Sequence, residues 1–430
     1  MEIFKSHSID TISDKKLSAI TLYTNEKNNN NTLIINGDFF GNIELYEITS
    51  NNKLIKSTSI SIGKNKIEKL ICVDSLNILY VLSNNNLFTY ILPNFRLVQE
   101  SAIGNNPQII DFCNNLNPSN INDILIVNKK KKILLYQYHI EMQKILKAEI
   151  SNDDDKLSCT ELPNKMLFYG KYLCYICKNK VYFKDLKTNN QNENDFICYD
   201  IEYILDGWLL NVDGMIGLFM ENSGKEPMSI TALSFENKIE TFKKFTKNYL
   251  IALSDNDLAI FNVKESKKIQ EFKENFVSGF FGKFIISNEY KCFYITSNLQ
   301  NDKSSKTGDY KIYEIKEIPF DEQISKLLMI NKYEDALNIL NNKVPLNKNK
   351  FDIIEKYYND VAWSYFKKFK IDDINKSKKY FNICNFNPFE IIYLYYNLLK
   401  IKPIHEEFIN MNEEDKKKIK LILFFQQINI

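Results

Sequence analysis

Glu317-Ile-Pro-Phe-Asp-Glu-Gln-Ile-Ser-Lys-Leu-Leu-Met-Ile-Asn-Lys-Tyr-Glu-Asp-Ala-Leu-Asn-Ile-Leu340 divides the chain into two kinds of sequence. Before it, apolar residues come in short strand-like runs that end in Asn-rich turns; after it, they recur at helical spacing. Pro319 breaks the last strand. Asp321 is placed to cap a first helix, because its carboxylate can accept an orphan backbone N–H. Ile324, Leu327 and Leu328 share one face of that helix at i, i+3, i+4 spacing. Beyond a break at Asn331, Tyr333, Ala336, Leu337 and Leu340 share a face of a second helix, and small Ala336 lets the two approach closely. The pair reads as the helical hairpin that opens an α-solenoid.

Upstream, one pattern repeats: an apolar run, a polar turn, then a second apolar run carrying Tyr or Phe. Thr32–Asn36 turns through Gly37–Gly41 into Ile43–Ile48, and Leu79–Ser83 turns at Asn84–Asn86 into Leu87–Leu92. Ile124–Val127 turns through four lysines into Ile133–Tyr136, and Tyr172–Ile176 turns into Val181–Phe183. Met215–Met220 goes with Ile230–Phe235, Leu250–Ser254 with Leu258–Phe261, and Cys292–Thr296 with Tyr310–Tyr313. Each pair reads as a β-hairpin. Their spacing, roughly one per 45 residues, is that of propeller blades. Ile67–Cys72 and Phe276–Phe281 are candidates for the further strands each blade needs. Gly-His and Trp-Asp pairs do not recur, so an ordinary WD-repeat pattern is excluded; a pair of β-sandwiches is the competing architecture.

Downstream, Phe351, Ile354, Tyr358, Val361, Ala362, Tyr365 and Phe369 mark one face of a long helix. Shorter helices follow, capped by Asp372 or Asp373, started by Pro388 and running from Glu413 to Phe425. At 430 residues, with 44% hydrophobic and 26% charged residues, the chain is expected to be soluble and to hold two or more domains. A formal net charge of +2 gives no global pull toward nucleic acid or anionic membrane. Lys, Asn, Ile, Tyr and Phe are heavily used while Gly (12) and Pro (9) are scarce, which we read as compositional bias. Met1–Ile12 lacks the apolar core of a signal peptide, and no run approaches the ~20 apolar residues of a membrane span. The eight cysteines are scattered, as expected for reduced thiols of a cytosolic protein.

No catalytic, cofactor or metal constellation emerges. Cys174-Tyr-Ile-Cys177 has no partner pair, and an offset of three along a strand puts its thiols on opposite faces. His7, His139 and His405 stand far apart, and no phosphate-cradling Gly motif occurs. Lys129–Lys132 reads as a solvated hairpin tip, with contact to anionic lipid or an acidic partner as the alternative. Asn152–Asp155 reads as an exposed loop.

Lys66-Ile-Glu-Lys-Leu70, Asn77–Pro93, Ile318-Pro319 with Gln323-Ile324, Leu327-Leu328 and Tyr333–Leu337 together carry a resemblance, as do Lys350–Phe381, Glu390–Leu394 and His405–Phe408. They resemble the vacuolar-protein-sorting tether subunits, in which a citron-homology domain precedes a clathrin-heavy-chain-type helical repeat. These are the Rab-facing end subunits of the HOPS and CORVET complexes, a family that includes the TGF-β-receptor-associated protein. The resemblance implies a β + α multidomain chain: a seven-bladed β-propeller of citron-homology type at 1–316, then a short α-solenoid at 317–430. It implies a non-enzymatic subunit of an endolysosomal tether that binds a Rab-family GTPase and other tether subunits. The subunit would act in vesicle docking and fusion and in endosome-to-vacuole transport. Its localisation would be cytoplasmic and peripheral on endosome, late endosome or vacuole (lysosome), with indirect membrane association, no nucleic acid and no cofactor. Family members continue as a longer solenoid ending in a cysteine-rich metal-binding region, so the C-terminal partner-binding half is expected to be absent here. A coat or nuclear-pore scaffold shares the propeller-plus-solenoid plan and is the alternative; an enzyme built on a propeller funnel would need converging His, Asp or Glu, which do not recur. Leu421, Ile422, Phe424 and Phe425 exceed what one helix face can bury, and are expected to bind a partner or a continuation of the solenoid.

Overall fold

The computed structural model describes residues 4–25, 31–100, 108–147, 158–188, 191–204, 207–212, 215–220, 228–233, 239–246, 249–254, 258–272, 284–287, 292–297, 308–330, 332, 334–336, 350–366, 376–377 and 379–381. The chain divides into two compact units, Glu2–Glu317 and Ile318–Ile430.

The first unit is built of antiparallel strands. After β1 (Phe4–Lys15) come β2 (Leu17–Asn25), β3 (Asn31–Asp38), β4 (Asn42–Ile48) and β5 (Leu54–Ser61). Then come β6 (Ile67–Val73), β7 (Ile78–Ser83), β8 (Asn86–Ile91) and β9 (Arg96–Glu100), followed by β10 (Ile109–Asn114), β11 (Asp123–Asn128), β12 (Ile133–His139) and β13 (Lys144–Lys147). A longer run follows: β14 (Lys165–Tyr169), β15 (Tyr172–Cys177), β16 (Lys180–Asp185), β17 (Gln191–Ile204), β18 (Gly207–Val212), β19 (Met215–Met220) and β20 (Met228–Leu233). The last are β21 (Ile239–Lys244), β22 (Tyr249–Ser254), β23 (Leu258–Asn262), β24 (Lys267–Phe272), β25 (Phe284–Ser287), β26 (Cys292–Ser297) and β27 (Gly308–Glu317).

Each hairpin read from the sequence is a pair of neighbouring strands, and Ile67–Cys72 is strand β6. Phe276–Phe281 lies outside the described residues. The expectation of seven separate blades is corrected: the strands hydrogen-bond into six sheets, five of four strands and one of seven. The reason is β17, which is 14 residues long. Its first part pairs with β16 (Val181↔Asn194) and its second with β18 (Ile201↔Leu210), so one strand joins two four-stranded halves. Strand β18, the partner of β19, had no counterpart among the sequence hairpins.

Scarce glycine leaves the tight turns to other residues. Two-residue hairpin turns need positive φ at both central positions, and Asn is the side chain that tolerates this best. Asn84 and Asn85 hold φ of 51° and 64° between β7 and β8, and Lys178 and Asn179 hold 44° and 65° between β15 and β16. The central strands are apolar on both faces up to a polar last residue: every residue of β7 is buried, ending in Ser83, as is every residue of β23, ending in Asn262. Such continuous runs occur because both faces of a blade pack on other blades.

The ends of the first unit meet. β1 pairs with β27 from Phe4↔Glu317 to Lys15↔Gly308, completing the sheet β1-β27-β26-β25. Phe4, fully buried, packs its ring 5.4 Å from Phe245 and 5.3 Å from Tyr249. Gln270 on β24 clamps the Phe4 backbone, donating to its carbonyl and accepting from its N–H, both at 2.8 Å. His7 Nε2 lies 3.1 Å from buried Glu314 on β27.

In the second unit, helix α1 (Phe320–Met329) starts two residues earlier than a cap at Asp321 would place it, and this corrects the role of Asp321. Pro319 stands at the cap, no side chain caps the helix, and Gln323 Nε2 instead donates to the Ile318 carbonyl at 2.6 Å. Ile324 and Leu327 are buried as read, and Leu328 is half-buried. Helix α2 (Lys350–Phe366) buries Tyr358, Val361, Ala362 and Tyr365. Tyr365 stacks on Tyr380 at 5.8 Å and Trp363 meets Phe381 edge-on at 5.2 Å. Tyr380 also donates from its hydroxyl to Glu334 at 2.9 Å. These helices do not by themselves make a stacked repeat. Leu337, Leu340 and the helices read beyond Phe381 lie outside the described residues. Among the described residues, no helix is long and apolar enough to cross a membrane.

Replacing Phe4 with Ala is expected to cost about 3–5 kcal/mol, the range for deleting a buried aromatic. Urea unfolding followed by tyrosine and tryptophan fluorescence measures it. A cost under about 1 kcal/mol would mean that the N-terminal strand does not hold the first unit closed.

Candidate functional site

The innermost strands of the first unit, β2, β6, β10, β14, the second part of β17, β21 and β25, abut one another in succession and return to β2. Three of these junctions carry buried or half-buried charge. Lys69 on β6 reaches Asp111 on β10 at 2.6 Å and the Phe112 carbonyl at 2.8 Å. Lys165 on β14 pairs with Asp200 on β17. Lys243 on β21 reaches Glu202, also on β17, at 3.3 Å. Asp200 is the centre of this set: besides Lys165 it accepts from Thr241 Oγ1 at 2.8 Å and from the backbone N–H groups of Phe242 at 3.1 Å and Ile201 at 2.9 Å. Burial opposes its ionised form, but the Lys165 and Lys243 ammonium groups and these hydrogen bonds outweigh it. Its carboxyl is held below the ordinary aspartate value. Each carboxylate is thus consumed in tying one inner strand to the next.

The sequence reading missed these residues. Their signal was present as single charges inside apolar strands, in Glu68-Lys69-Leu70, Ile110-Asp111-Phe112 and Tyr199-Asp200-Ile201-Glu202. Such charges are stable inside a fold only when paired.

The described thiols are mostly buried. Cys177 packs in one apolar cluster with Cys113 and Cys159, and Cys174 in another with Cys198, so the CxxC thiols face apart as the offset of three requires. Burial pushes Cys177 up to about 11 and Cys159 and Cys198 up to about 12. A thiol that stays protonated near neutral pH neither attacks nor ligates. Among the described residues no group of three or more His, Cys, Asp or Glu is arranged to hold a metal ion.

A different arrangement occupies one end of the strands, where the β3–β4, β7–β8, β11–β12 and β15–β16 tips meet the connections between sheets. Hydrogen bonds knit the tips and connections together. Phe39 N–H donates to Lys16 C=O (3.1 Å), Ile62 to Gly41 (3.0 Å), Ile109 to Asn85 (3.0 Å), Lys129 to Gln108 (2.8 Å) and Cys159 to Lys131 (2.8 Å). Ser83 Oγ donates to the Lys66 carbonyl at 3.0 Å. Gly41, at φ +83°, has no room for a Cβ, which would fall 2.6 Å from the Gly63 carbonyl oxygen. Asp38 shapes the first tip by accepting from Phe40 N, Asn42 N and Asn42 Nδ2, each at 2.8 Å. The Phe39 ring is flanked by Lys16 and Lys66, whose ammonium groups lie 4.8 and 4.7 Å from its centroid. At the third tip, Asn128 Oδ1 accepts from Lys130 N (2.9 Å) and Lys132 N (3.1 Å), fixing the four-lysine turn. Leu421, Ile422, Phe424 and Phe425, the expected partner-binding residues, lie outside the described residues.

Replacing Asp200 with Ala is expected to cost about 3–5 kcal/mol at neutral pH, because it strands Lys165 without its partner. The folded carboxyl titrates below the unfolded one, so its contribution is present above about pH 4 and is lost as pH falls through the lower folded value. Urea unfolding at a series of pH values should show a shallower acid loss in the variant than in the wild type; identical slopes would sink this assignment.

The CNH domain family profile matches residues 39–278, more than half of the chain and wholly within the first unit. No curated protein sequence matches the chain. Among solved structures, the Neurospora crassa Pan2 WD40 domain superposes with a TM-score of 0.54 at 10% identity, over 73% of this chain and 96% of that one. BBS1N, solved in complex with ARL6DN, superposes with a TM-score of 0.51 at 10% identity, over 72% and 96%. The AfRom2 CNH domain gives 0.47 at 14% identity, over 72% and 98%. The two higher superpositions show the fold, a β-propeller, and the profile shows the family. The chain belongs to the CNH domain family.

Proposed function

We propose that this chain is a non-enzymatic scaffold subunit of an endolysosomal membrane tether of the HOPS/CORVET kind, cytoplasmic and peripheral on endosomal or vacuolar membranes. In this reading it binds a Rab-family GTPase and other tether subunits, and those partners bring it to the membrane. The observation that carries it is the order of parts: a CNH propeller followed directly by a helix whose sequence resembles that of the tether subunits at Ile318-Pro319, Gln323-Ile324 and Leu327. Ile324, Leu327 and Ala336 are all buried there, as the start of a helical packing array requires. Asp111, Asp200 and Glu202 tie one blade to the next, a structural use of charge that suits a scaffold. The neighbour BBS1N was solved bound to another protein, which illustrates a propeller of this shape serving as a docking platform.

Affinity purification of the tagged chain under gentle lysis is expected to recover tether core subunits together with an endosomal Rab, the Rab preferentially when loaded with a non-hydrolysable GTP analogue. Recovery of nucleoporins or coatomer instead would overturn the reading. Within it, Leu421, Ile422, Phe424 and Phe425 form a subunit contact. The purified chain should self-associate in light scattering, and Phe424→Glu with Phe425→Glu should make it monomeric with the propeller still folded. A wild type that stays monomeric at tens of micromolar would remove that contact.

A further inference from the structure

The face formed by the hairpin tips and inter-sheet connections is strongly biased in charge. Its described connections hold Lys16, Lys64, Lys66, Lys129, Lys130, Lys131, Lys132 and Lys178, against the single acid Glu161, which Lys178 engages at 2.5 Å. Lys64, Lys66, Lys129, Lys130 and Lys131 are exposed. The described turns at the other end of the same strands hold Lys53, Lys171, Lys187 and Lys264 against Asp74, Glu141 and Glu265. A genome-wide taste for lysine would load both ends alike. Among the described connections and turns, the excess of lysine lies at one end of the strands.

Two exposed apolar side chains stand within this face. Phe40, at the β3–β4 tip beside Lys16 and Lys66, is 49% exposed, and Leu162, in the β13–β14 connection, is 38% exposed. Asp38 holds Phe40 in place through its backbone, so the exposure is built into the turn.

We propose that this face lies directly on an anionic lipid bilayer, with Phe40 and Leu162 entering the interface and the lysines gathered over the headgroups. The residue types favour lipid over the other anionic occupants. Protein–protein contacts deplete Lys and favour Arg, Tyr and Trp, yet the only arginine of the chain, Arg96, is at the far end of β9 beside Gln143. Discrete phosphate recognition favours the planar fork of Arg, and single-stranded nucleic acid favours rows of stacked aromatics; the face has neither among its described residues. A band of lysine point charges on convex turns, with apolar side chains at the tips, suits a planar surface of diffuse negative charge. This contact is direct, requires no partner, and adds to the association through partners proposed above.

Co-sedimentation of the purified full chain with vesicles of phosphatidylcholine containing about one-quarter phosphatidylserine tests it, because only the anionic lipid supplies the attraction. The chain should sediment with these vesicles at about 0.1 M salt, leave them at about 1 M as screening shortens from roughly 10 to 3 Å, and ignore phosphatidylcholine alone. Lys64→Glu, Lys66→Glu, Lys129→Glu and Lys130→Glu together should weaken partitioning by at least about 600-fold, since each lysine near the surface is worth about fivefold. Phe40→Ser should weaken it about fivefold, and Lys53→Glu with Lys187→Glu, at the other end, should change it little. Circular dichroism confirms that each variant is folded; if the fourfold variant is not, Phe40→Ser and the salt series still decide. No uptake by the anionic vesicles, or equal loss from both ends of the molecule, overturns the proposal. Capture by soluble polyglutamate without vesicle uptake overturns it too, and assigns the face to an acidic protein. Because no GTPase is present, failure here leaves the tether reading standing, and failure of the tether reading leaves this result intact.

Discussion

The first unit depends on the pairing of β1 with β27. The ring of sheets is complete only when its last sheet is, and the strand that completes it comes from the opposite end of the chain. Every other sheet is assembled from neighbouring sequence and forms at low loop-closure cost. The closing sheet joins residues some 300 positions apart, so its ordering entropy is repaid late. The compensation is concentrated there: a fully buried Phe4 among Phe245 and Tyr249, a two-way backbone clamp from Gln270, and His7 beside buried Glu314.

A second constraint works at the centre. Inner strands from adjacent sheets lie against one another without the regular hydrogen-bond ladder that holds strands within a sheet. Side chains must supply the directional contacts. Lys69–Asp111, Lys165–Asp200 and Lys243–Glu202 do this, and Asp200 spans two junctions at once because β17 lies between β14 and β21. Buried pairs of this kind contribute little net stability compared with an apolar core of the same shape, but breaking one is costly, so they enforce which strand lies beside which.

The same architecture separates structure from function in space. Apolar residues fill the sheet interiors, charge pairs occupy the inner junctions, and variable polar chemistry is left to the turns. The connections at one end concentrate lysine around Phe40, while those at the other end do not. Family membership is set by the β packing pattern across residues 39–278, a pattern that leaves turn residues and helices free to vary.

Hairpins, turn positions and the change from strand to helix near Pro319 were legible in the sequence, because they rest on local periodicity: two residues for strands, three to four for helices. Asn84-Asn85 marked a turn by its own backbone tolerance, and the spacing of Ile324 and Leu327 marked the buried face of α1. Three features were decided only by the tertiary structure. Whether β17 ended one sheet or joined two depended on hydrogen bonds to β16 and β18, which no local pattern encodes. Whether Asp321 capped a helix depended on where Pro319 and Gln323 placed the first turn. Whether Lys69, Asp111, Lys165 and Asp200 were surface charges or buried ties depended on which inner strands became neighbours, and Lys16, Phe40, Lys66 and Lys129, dispersed over more than a hundred residues, became one face only when the tips were brought together. Periodicity is a property of adjacent residues and survives in the sequence; charge complementarity between distant strands exists only once the ring is closed.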